Sequence, residues 1–272
     1  MNEYASGQAC YRRIVCLCTE AVETLYALGA QDAIAGISGF TTRPARARRE
    51  KPKVSGFSSS RIERILAVEP DLVIGFSDMQ AEICRDLAAA GVEVHLFNQR
   101  DIAGIFHMVR VLAMLVDRQE QGRELLAGLQ AHIDAARLSA SRWTARPRVY
   151  FEEWNDPLIS GIGWVSELIS IAGGDDAFAE LASHAGAKER IIADPFEVVR
   201  REPDIIIGSW CGKKFQPDSV RGRPGWDCIP AVRNGMVAEI KSADILSPGP
   251  SVITEGLPQI AALVERWQRA QL

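Results

Sequence analysis

Two stretches of the chain repeat one pattern of apolar and polar positions. Residues 61–76 read RIERILAVEPDLVIGF and residues 195–210 read PFEVVRREPDIIIGSW. Each opens with apolar residues at helical spacing, passes through Glu-Pro-Asp and ends in an apolar run closed by glycine. Proline removes a backbone donor and pushes the residue before it out of the helical region, so each helix is expected to stop there. Leu72-Val73-Ile74 and Ile205-Ile206-Ile207 have the unbroken apolar character of strands buried on both faces. Gly75 and Gly208 are expected to turn the chain at the carboxyl ends of those strands.

The repeat extends upstream. Residues 13–29, RIVCLCTEAVETLYALG, predict a strand, a polar loop and a helix ending at Gly29. Residues 148–173, RVYFEEWNDPLISGIGWVSELISIAG, predict the same plan with a longer loop. Strand–loop–helix followed by helix–Glu-Pro-Asp–strand, stated twice, predicts an α/β fold of two similar lobes with parallel sheets flanked by helices. Between the copies, FHMVRVLAMLVD and RELLAGLQAHIDAARLSA place apolar residues at helical spacing and predict one long α-helix, continuous or slightly broken. The organisation expected is a polar N-terminal tail over 1–12, an N-terminal lobe over 13–105, a linking helix over 106–145 and a C-terminal lobe over 146–272. A helical connector resists bending, which predicts a small closure on ligand.

Composition removes several function classes. Of 272 residues, 47% are hydrophobic and 24% charged, with a formal net charge of -4, so the basic footprint of a nucleic-acid binder is missing. No apolar run approaches the length of a membrane span. The six cysteines have no framework spacing, which favours a reducing compartment or buried thiols. Residues 1–13 are polar and lack an apolar stretch of signal-peptide length. As written the chain is expected in the cytoplasm, although a removed export signal or a different start codon would leave the same sequence.

Ligands of parallel sheets collect beyond the carboxyl ends of the strands. In lobe one those ends are Cys18-Thr19-Glu20, Gly39-Phe40-Thr41, Ser55-Gly56-Phe57 and Phe76-Ser77-Asp78. In lobe two they are Glu152-Glu153-Trp154, Gly161 to Trp164, Ser209 to Lys214 and Leu246 to Pro250. Aromatics make up only 7% of the chain, yet Phe40, Phe57, Phe76, Trp154, Trp164 and Trp210 all fall there. Each is a candidate ligand contact, and each reads equally as an apolar plug under its loop. Ser209, Lys213 and Glu153 are candidates to bond the rim of a ligand. Neighbouring strand residues face opposite ways, so at most one of Glu152 and Glu153 enters the site.

Cys18 and Cys211, with Glu20, Glu152 and Glu153, have the residue types of a thiolate and carboxylate metal site. The competing reading is a pair of small buried hydrophobes. His95, His107, His132 and His184 lack ligand spacing and read as structural or exposed. No GxSxG, Walker loop, HExxH or GxGxxG after a strand is present, so a binding protein is expected rather than an enzyme.

Taken together, RIVCLCTEAVETLYALGA, the FTTRP turn, the KVSGF–SSSRIERILAVEPDLVIG block and the long helix resemble the periplasmic-binding proteins for cobalamin and ferric siderophores, which serve ABC importers. The resemblance runs from about Arg13 to Trp267. In lobe two, FEEWNDPLISGIGWVSELISIAGG, GSWCGKKF and RPGW are similar to the cobalamin-binding branch. It implies a corrinoid held between the lobes, with Phe40 and Phe57 matching aromatics that stack on the corrin and Trp154 matching one from lobe two. Arg190 stands near where the family has a further aromatic, and Cys18-Thr19 stands where it usually has Ser-Pro.

The same resemblance implies docking on an ABC permease, with its ATPase subunits, through one acid per lobe. Glu63 matches in lobe one, and Glu197 is the nearest acid in lobe two. It further implies a periplasmic or extracytoplasmic monomer with no intrinsic cofactor, whose small-molecule ligand is a cobalt corrinoid or an iron chelate. A ferric siderophore or haem is the alternative within the fold, with Lys213, Lys214 and Arg190 as cations. The run Arg43, Arg46, Arg48 and Arg49 reads as a solvated loop. Outside the importer class, the alternative is a cytoplasmic metal- or cofactor-handling protein using Cys18 and Cys211.

Overall fold

A computed structural model describes residues 10–271, so most of the predicted N-terminal tail lies outside the described residues. The chain divides into two compact units, one ending at Gly128 and the other beginning at Leu129.

The first unit runs β1 (Ile14–Cys16), α1 (Thr19–Ala27), β2 (Ile34–Ser38), α2 (Ala47–Glu50), β3 (Lys53–Ser55), α3 (Ile62–Leu66), β4 (Leu72–Phe76), α4 (Ala81–Ala89), β5 (Val94–Phe97) and α5 (Ile102–Leu115). Its five strands are all parallel and ordered β3-β2-β1-β4-β5. Val15, Leu17, Val54, Ile65, Val73, Ile83 and Leu87 form an apolar core across sheet and helices. In α5 the buried residues Ile105, Met108, Val109 and Leu112 make one helical stripe, the burial that overrides the modest helix propensity of its β-branched residues. The chain leaves β1 toward β2 on one side and later returns to β4 on the other. That reversal is where open α/β sheets form a crevice at their carboxyl ends.

The linking helix, expected to be continuous or slightly broken, has a break. After α5, Asp117 takes a left-handed φ of 53°, and a new helix, α6 (Gln119–Ala140), begins. The unit boundary falls inside α6. Apolar spacing hides this break because aspartate tolerates the left-handed region without announcing it as glycine would. Among the described residues no helix is long and apolar enough to cross a membrane.

The second unit continues with β6 (Arg148–Asn155), β7 (Leu158–Ser160), α7 (Gly163–Ile171), β8 (Asp175–Asp176), α8 (Ala179–Ala182), α9 (Phe196–Arg201), β9 (Ile205–Gly208), α10 (Pro217–Arg221), α11 (Pro230–Arg233), β10 (Val237–Glu239), α12 (Ser242–Ile245) and α13 (Leu257–Arg269). A π-helical turn, Val252–Gly256, leads into α13. The strand order is β10-β9-β6-β7, with β8 also on β6. The expected wholly parallel sheet fails at β7. What reads as a longer loop turns at Asp156-Pro157 and comes back antiparallel to β6, pairing Leu158 with Asn155 and Ser160 with Glu152. Three residues with Leu158 and Ser160 buried are too few to show an alternation by sequence.

Glu-Pro-Asp does more than stop a helix. Glu69 and Glu202 both adopt left-handed φ, 47° and 45°. Asp71 then accepts from the backbone N–H groups of Arg12 (2.7 Å) and Arg13 (3.0 Å), while its own N–H donates to the Arg13 carbonyl (3.0 Å). Asp204 accepts from the Arg148 N–H (2.8 Å) and donates its N–H to the Arg148 carbonyl (2.8 Å). In each unit the motif pins the entry of the first strand, Arg13 just ahead of β1 and Arg148 opening β6, to the start of the strand beside it. That sets the register Ile14–Leu72 in one sheet and Val149–Ile205 in the other.

Gly75 and Gly208 do not turn the chain as expected; both lie within strands, β4 and β9. Close packing explains them. A Cβ on Gly208 would come within 1.8 Å of the Phe215 ring, and one on Gly75 would meet Gln80 and Leu96 at 3.0 Å.

Candidate functional site

In the first unit the reversal between β1 and β4 brings Cys18 and Glu20 to one side of the crevice position and Ser77 to Gln80 to the other. Cys18 occupies the position ahead of α1 and is buried, as is Glu20 in the first turn. Burial pushes the Cys18 thiol well above its usual range, and Glu20 raises it further. Burial also pushes the Glu20 carboxyl up to about 7, outweighing the backbone N–H and the Cys18 thiol that hydrogen-bond to it. Glu20 Oε1 is buried without a hydrogen-bond partner. Cys18 is therefore held as a protonated thiol at neutral pH.

Phe40, after β2, keeps 67% of its surface open. Its loop is braced from below. Ser38 Oγ accepts from the Phe40 N–H (3.2 Å) and donates to the Gly56 carbonyl (3.1 Å). Arg48 donates to the carbonyls of Gly39 (2.6 Å) and Thr41 (2.8 Å). Arg48 is exposed, as expected of a solvated run, and braces the loop as well, while Arg46 lies 4.9 Å over the Tyr26 ring.

Phe57 is half-buried after β3. Its carbonyl accepts from Gln80 Nε2 (2.8 Å), which also donates to the Leu17 carbonyl (3.1 Å), while Gln80 Oε1 accepts from the Phe76 N–H (2.9 Å). One buried side chain therefore ties the carboxyl ends of β1 and β4 to the loop after β3. Nothing in the sequence singles out Gln80, because a glutamine in a polar turn reads as solvated.

Phe76 is corrected from contact to plug. It ends the fully buried β4 and is capped by the Arg100 guanidinium, 5.3 Å from the ring centre. The exposed apolar side chain at this strand end is Met79, which sequence reading missed. Ser77 presents it with φ 64° and ψ 172°, a backbone region almost reserved for glycine. Phe40, Phe57 and Met79 thus follow three strands of one parallel sheet at the same end.

In the second unit Trp154 is half-buried at the end of β6 and donates its indole N–H to the Asp156 carbonyl (2.8 Å). The exposed Lys213 ammonium bonds Asn155 Oδ1 (3.1 Å) and lies 5.6 Å from the Trp154 ring centre and 5.1 Å from that of Trp210. Trp210 itself is only 2% exposed. Its indole N–H goes to Glu152 (2.9 Å), and its ring meets Phe215 edge-on at 5.0 Å. Trp164 is 3% exposed in the first turn of α7 and donates to the Ile245 carbonyl (2.8 Å). Both indoles are core rings with satisfied donors, which matches the plug alternative rather than the contact one. Ser209 is buried too, with an unpartnered hydroxyl.

Glu152 and Glu153 face opposite ways, and neither is a free carboxylate. Glu152, fully buried, accepts two bonds from Arg223 (2.5 and 2.8 Å), one from Tyr150 (3.0 Å) and one from Trp210. Glu153 forms a two-pronged pair with Arg190 at 2.7 and 3.1 Å. Arg190 is 2% exposed and also holds the Ser160 carbonyl, so it is a structural ion and not the available cation expected.

Cys211 is exposed, with its thiol raised by burial and by Glu153. Among the described residues, no three of His, Cys, Asp and Glu gather where a metal could be held. Neither Cys18 nor Cys211 belongs to such a cluster among the described residues.

Of the two docking acids, Glu63 is exposed on α3. Glu197 on α9 is clasped by Arg200 and Arg201, each at 2.9 Å, which hold its carboxyl below the usual range and neutralise its charge. Reading acids by sequence position missed this because both arginines follow within one helical turn.

A family model described as periplasmic binding protein matches residues 14–243. A vitamin B12-binding protein of Vibrio parahaemolyticus is 25% identical over 244 residues, covering 89% of this chain and 85% of that one. Among solved structures, the periplasmic heme-binding protein RhuT from Roseiflexus superposes with a TM-score of 0.79 at 24% identity, covering 96% of this chain and 100% of that one. The periplasmic vitamin B12 binding protein BtuF of Vibrio cholerae does so at 0.76 and 20%, covering 95% and 98%. With the repeated Glu-Pro-Asp staple and two helix-flanked sheets already established, the match across most of the sequence leads to one conclusion: the chain belongs to the periplasmic binding protein family.

Proposed function

We propose that this solute-binding protein takes a corrinoid, engaged by the strand-end loops of its first unit and those of its second, and delivers it to an ABC permease with ATPase subunits. The carrying observation is Phe40, an aromatic ring 67% open on a braced loop. The half-buried Phe57 and the exposed Met79 at the same sheet end add to it. Leaving such rings in water is unfavourable, and covering them with a flat ligand recovers about 25 cal/mol per Å² of apolar area, less the ordering costs of binding. The names of the curated relatives support the corrinoid class. The relatives' names also describe binding rather than catalysis, in keeping with a protein that holds its ligand unchanged.

Lys213 favours a second reading. An exposed ammonium over two indoles suits an acidic ligand such as haem or a ferric siderophore, with Lys214 beside it. Calorimetric titration with cyanocobalamin, hemin and a ferric hydroxamate separates the two. Saturable heat with cyanocobalamin, weakened at least about tenfold in Phe40→Ala, is the expected result, the loss of one stacked ring amounting to more than 1 kcal/mol. Saturation with hemin alone, lost in Lys213→Gln, would replace the corrinoid reading. No heat with any of the three at high micromolar concentration would reject both.

A further inference from the structure

A second concave site lies in the first unit, on the β3 edge of the sheet. Its cavity of about 450 Å³ is lined by Lys53, Ser55, Gly56, Ser60, Arg61 and Arg64 among others. The segment folds as a small hairpin. Gly56 N–H donates to the Ser59 carbonyl (2.8 Å), and Ser55 and Ser60 form an antiparallel bridge. The turn is tight enough that a Cβ on Gly56 would come within 2.8 Å of the Ser59 carbonyl oxygen. It brings two hydroxyls together, Ser55 Oγ and Ser60 Oγ, and both are buried without a hydrogen-bond partner.

Three cations share this cavity. Several arginines elsewhere are paired or serve as struts, as at Arg48, Arg190, Arg200, Arg201 and Arg223. Lys53, Arg61 and Arg64 line one concavity, and no lining residue is an acid. Like charges in one cavity repel, and a buried hydroxyl without a partner forgoes about 1–3 kcal/mol. Both costs are offset by one kind of occupant, a compact anion with several acceptor oxygens. Guanidinium groups match such oxyanions with paired N–H donors, and serine hydroxyls complete the set.

We propose that this cavity is an oxyanion site taking a phosphoryl group, free or carried on a small molecule. It shares the loop after β3 with Phe57, but no aromatic ring lines it, so it stands whether or not the corrinoid reading holds. A volume of about 450 Å³ exceeds a bare phosphate and falls within the range of small-molecule pockets, which favours a phosphate ester.

The test titrates the full chain with inorganic phosphate, phenyl phosphate and phenol at low ionic strength, read by calorimetry. Saturable binding of either phosphate, none of phenol, and loss of affinity with added salt are expected. Tighter binding of phenyl phosphate identifies an ester as the source, and equal binding identifies the free anion. Arg64→Gln and Arg61→Gln should each weaken binding roughly tenfold, the scale of one charge-assisted hydrogen bond. Ser60→Ala should weaken it without lowering the melting temperature, because that hydroxyl holds nothing in the protein. Arg110→Gln, an exposed cation on α5, should leave it unchanged. Absence of saturation at tens of millimolar phosphate would overturn the proposal, as would equal affinity in wild type and Arg61→Gln/Arg64→Gln.

Discussion

Removing the Glu152 carboxylate is expected to destabilise the second unit severely. The group is fully buried and is the common acceptor for Arg223, Tyr150 and Trp210. In Glu152→Ala the Arg223 guanidinium, whose side chain is 17% exposed, is left as an uncompensated charge. Breaking a buried pair in this way costs about 3–5 kcal/mol. The Trp210 and Tyr150 donors lose their partner in the same step, which places the expected cost at the upper end. All six tryptophans lie beyond residue 128, so tryptophan fluorescence in urea reports the second unit alone. With an m-value of about 2–3 kcal/mol per molar, its midpoint should fall by roughly 1–2 M urea. Glu152→Ala/Arg223→Ala should be more stable than the two single losses added together, because it leaves no stranded charge. A cost below about 1 kcal/mol for Glu152→Ala, or full additivity in the double variant, would refute the reasoning.

Three other outcomes follow from the geometry. The Glu20 carboxyl stands near 7 in the folded protein against an ordinary 4.5, so the folded state holds a proton that the unfolded state has released between those values. Stability should therefore fall as pH rises from 4.5 to 7, by on the order of 3 kcal/mol, then level off. Glu20→Gln should flatten that slope in denaturant melts across the range, and an unchanged slope would reject the assignment. Native protein treated with a thiol reagent at pH 7.5 should lose Cys10, Cys211 and Cys228 first, with Cys16, Cys18 and Cys84 reacting only on unfolding. Early labelling of Cys18, seen by peptide mapping, would contradict its burial. Asp71→Ala and Asp204→Ala should each cost about 1–3 kcal/mol in thermal melts, since the Asp71 carboxylate holds two backbone N–H groups and that of Asp204 holds one.

The sequence carried the α/β class and the duplication because both rest on long apolar patterns punctuated by proline and glycine. It did not carry the β6–β7 hairpin, whose second strand is three residues long, or the break at Asp117, made by a residue type that seldom marks one. The site was legible as a set of loops and poorly legible residue by residue. Phe40, whose ring is open, could be nominated because an aromatic at a strand end is visible in one dimension. Trp164 and Trp210 satisfy the same criterion, yet their indole donors meet partners 81 and 58 residues away, and no local pattern foretells that. Glu153 and Arg190 each looked available until paired over 37 residues. Gln80 and Met79 were missed for the converse reason, since a short turn after a strand gives no periodicity to read.

The paired aspartate staples have an evolutionary consequence. They secure each sheet at the amino ends of its strands, while the aromatic and cationic residues sit on loops at the carboxyl ends. Register and the candidate contact residues are thus encoded in separate stretches of sequence. Such a scaffold can drift from one cargo to another by exchanging a handful of loop side chains, without passing through an unfolded ancestor.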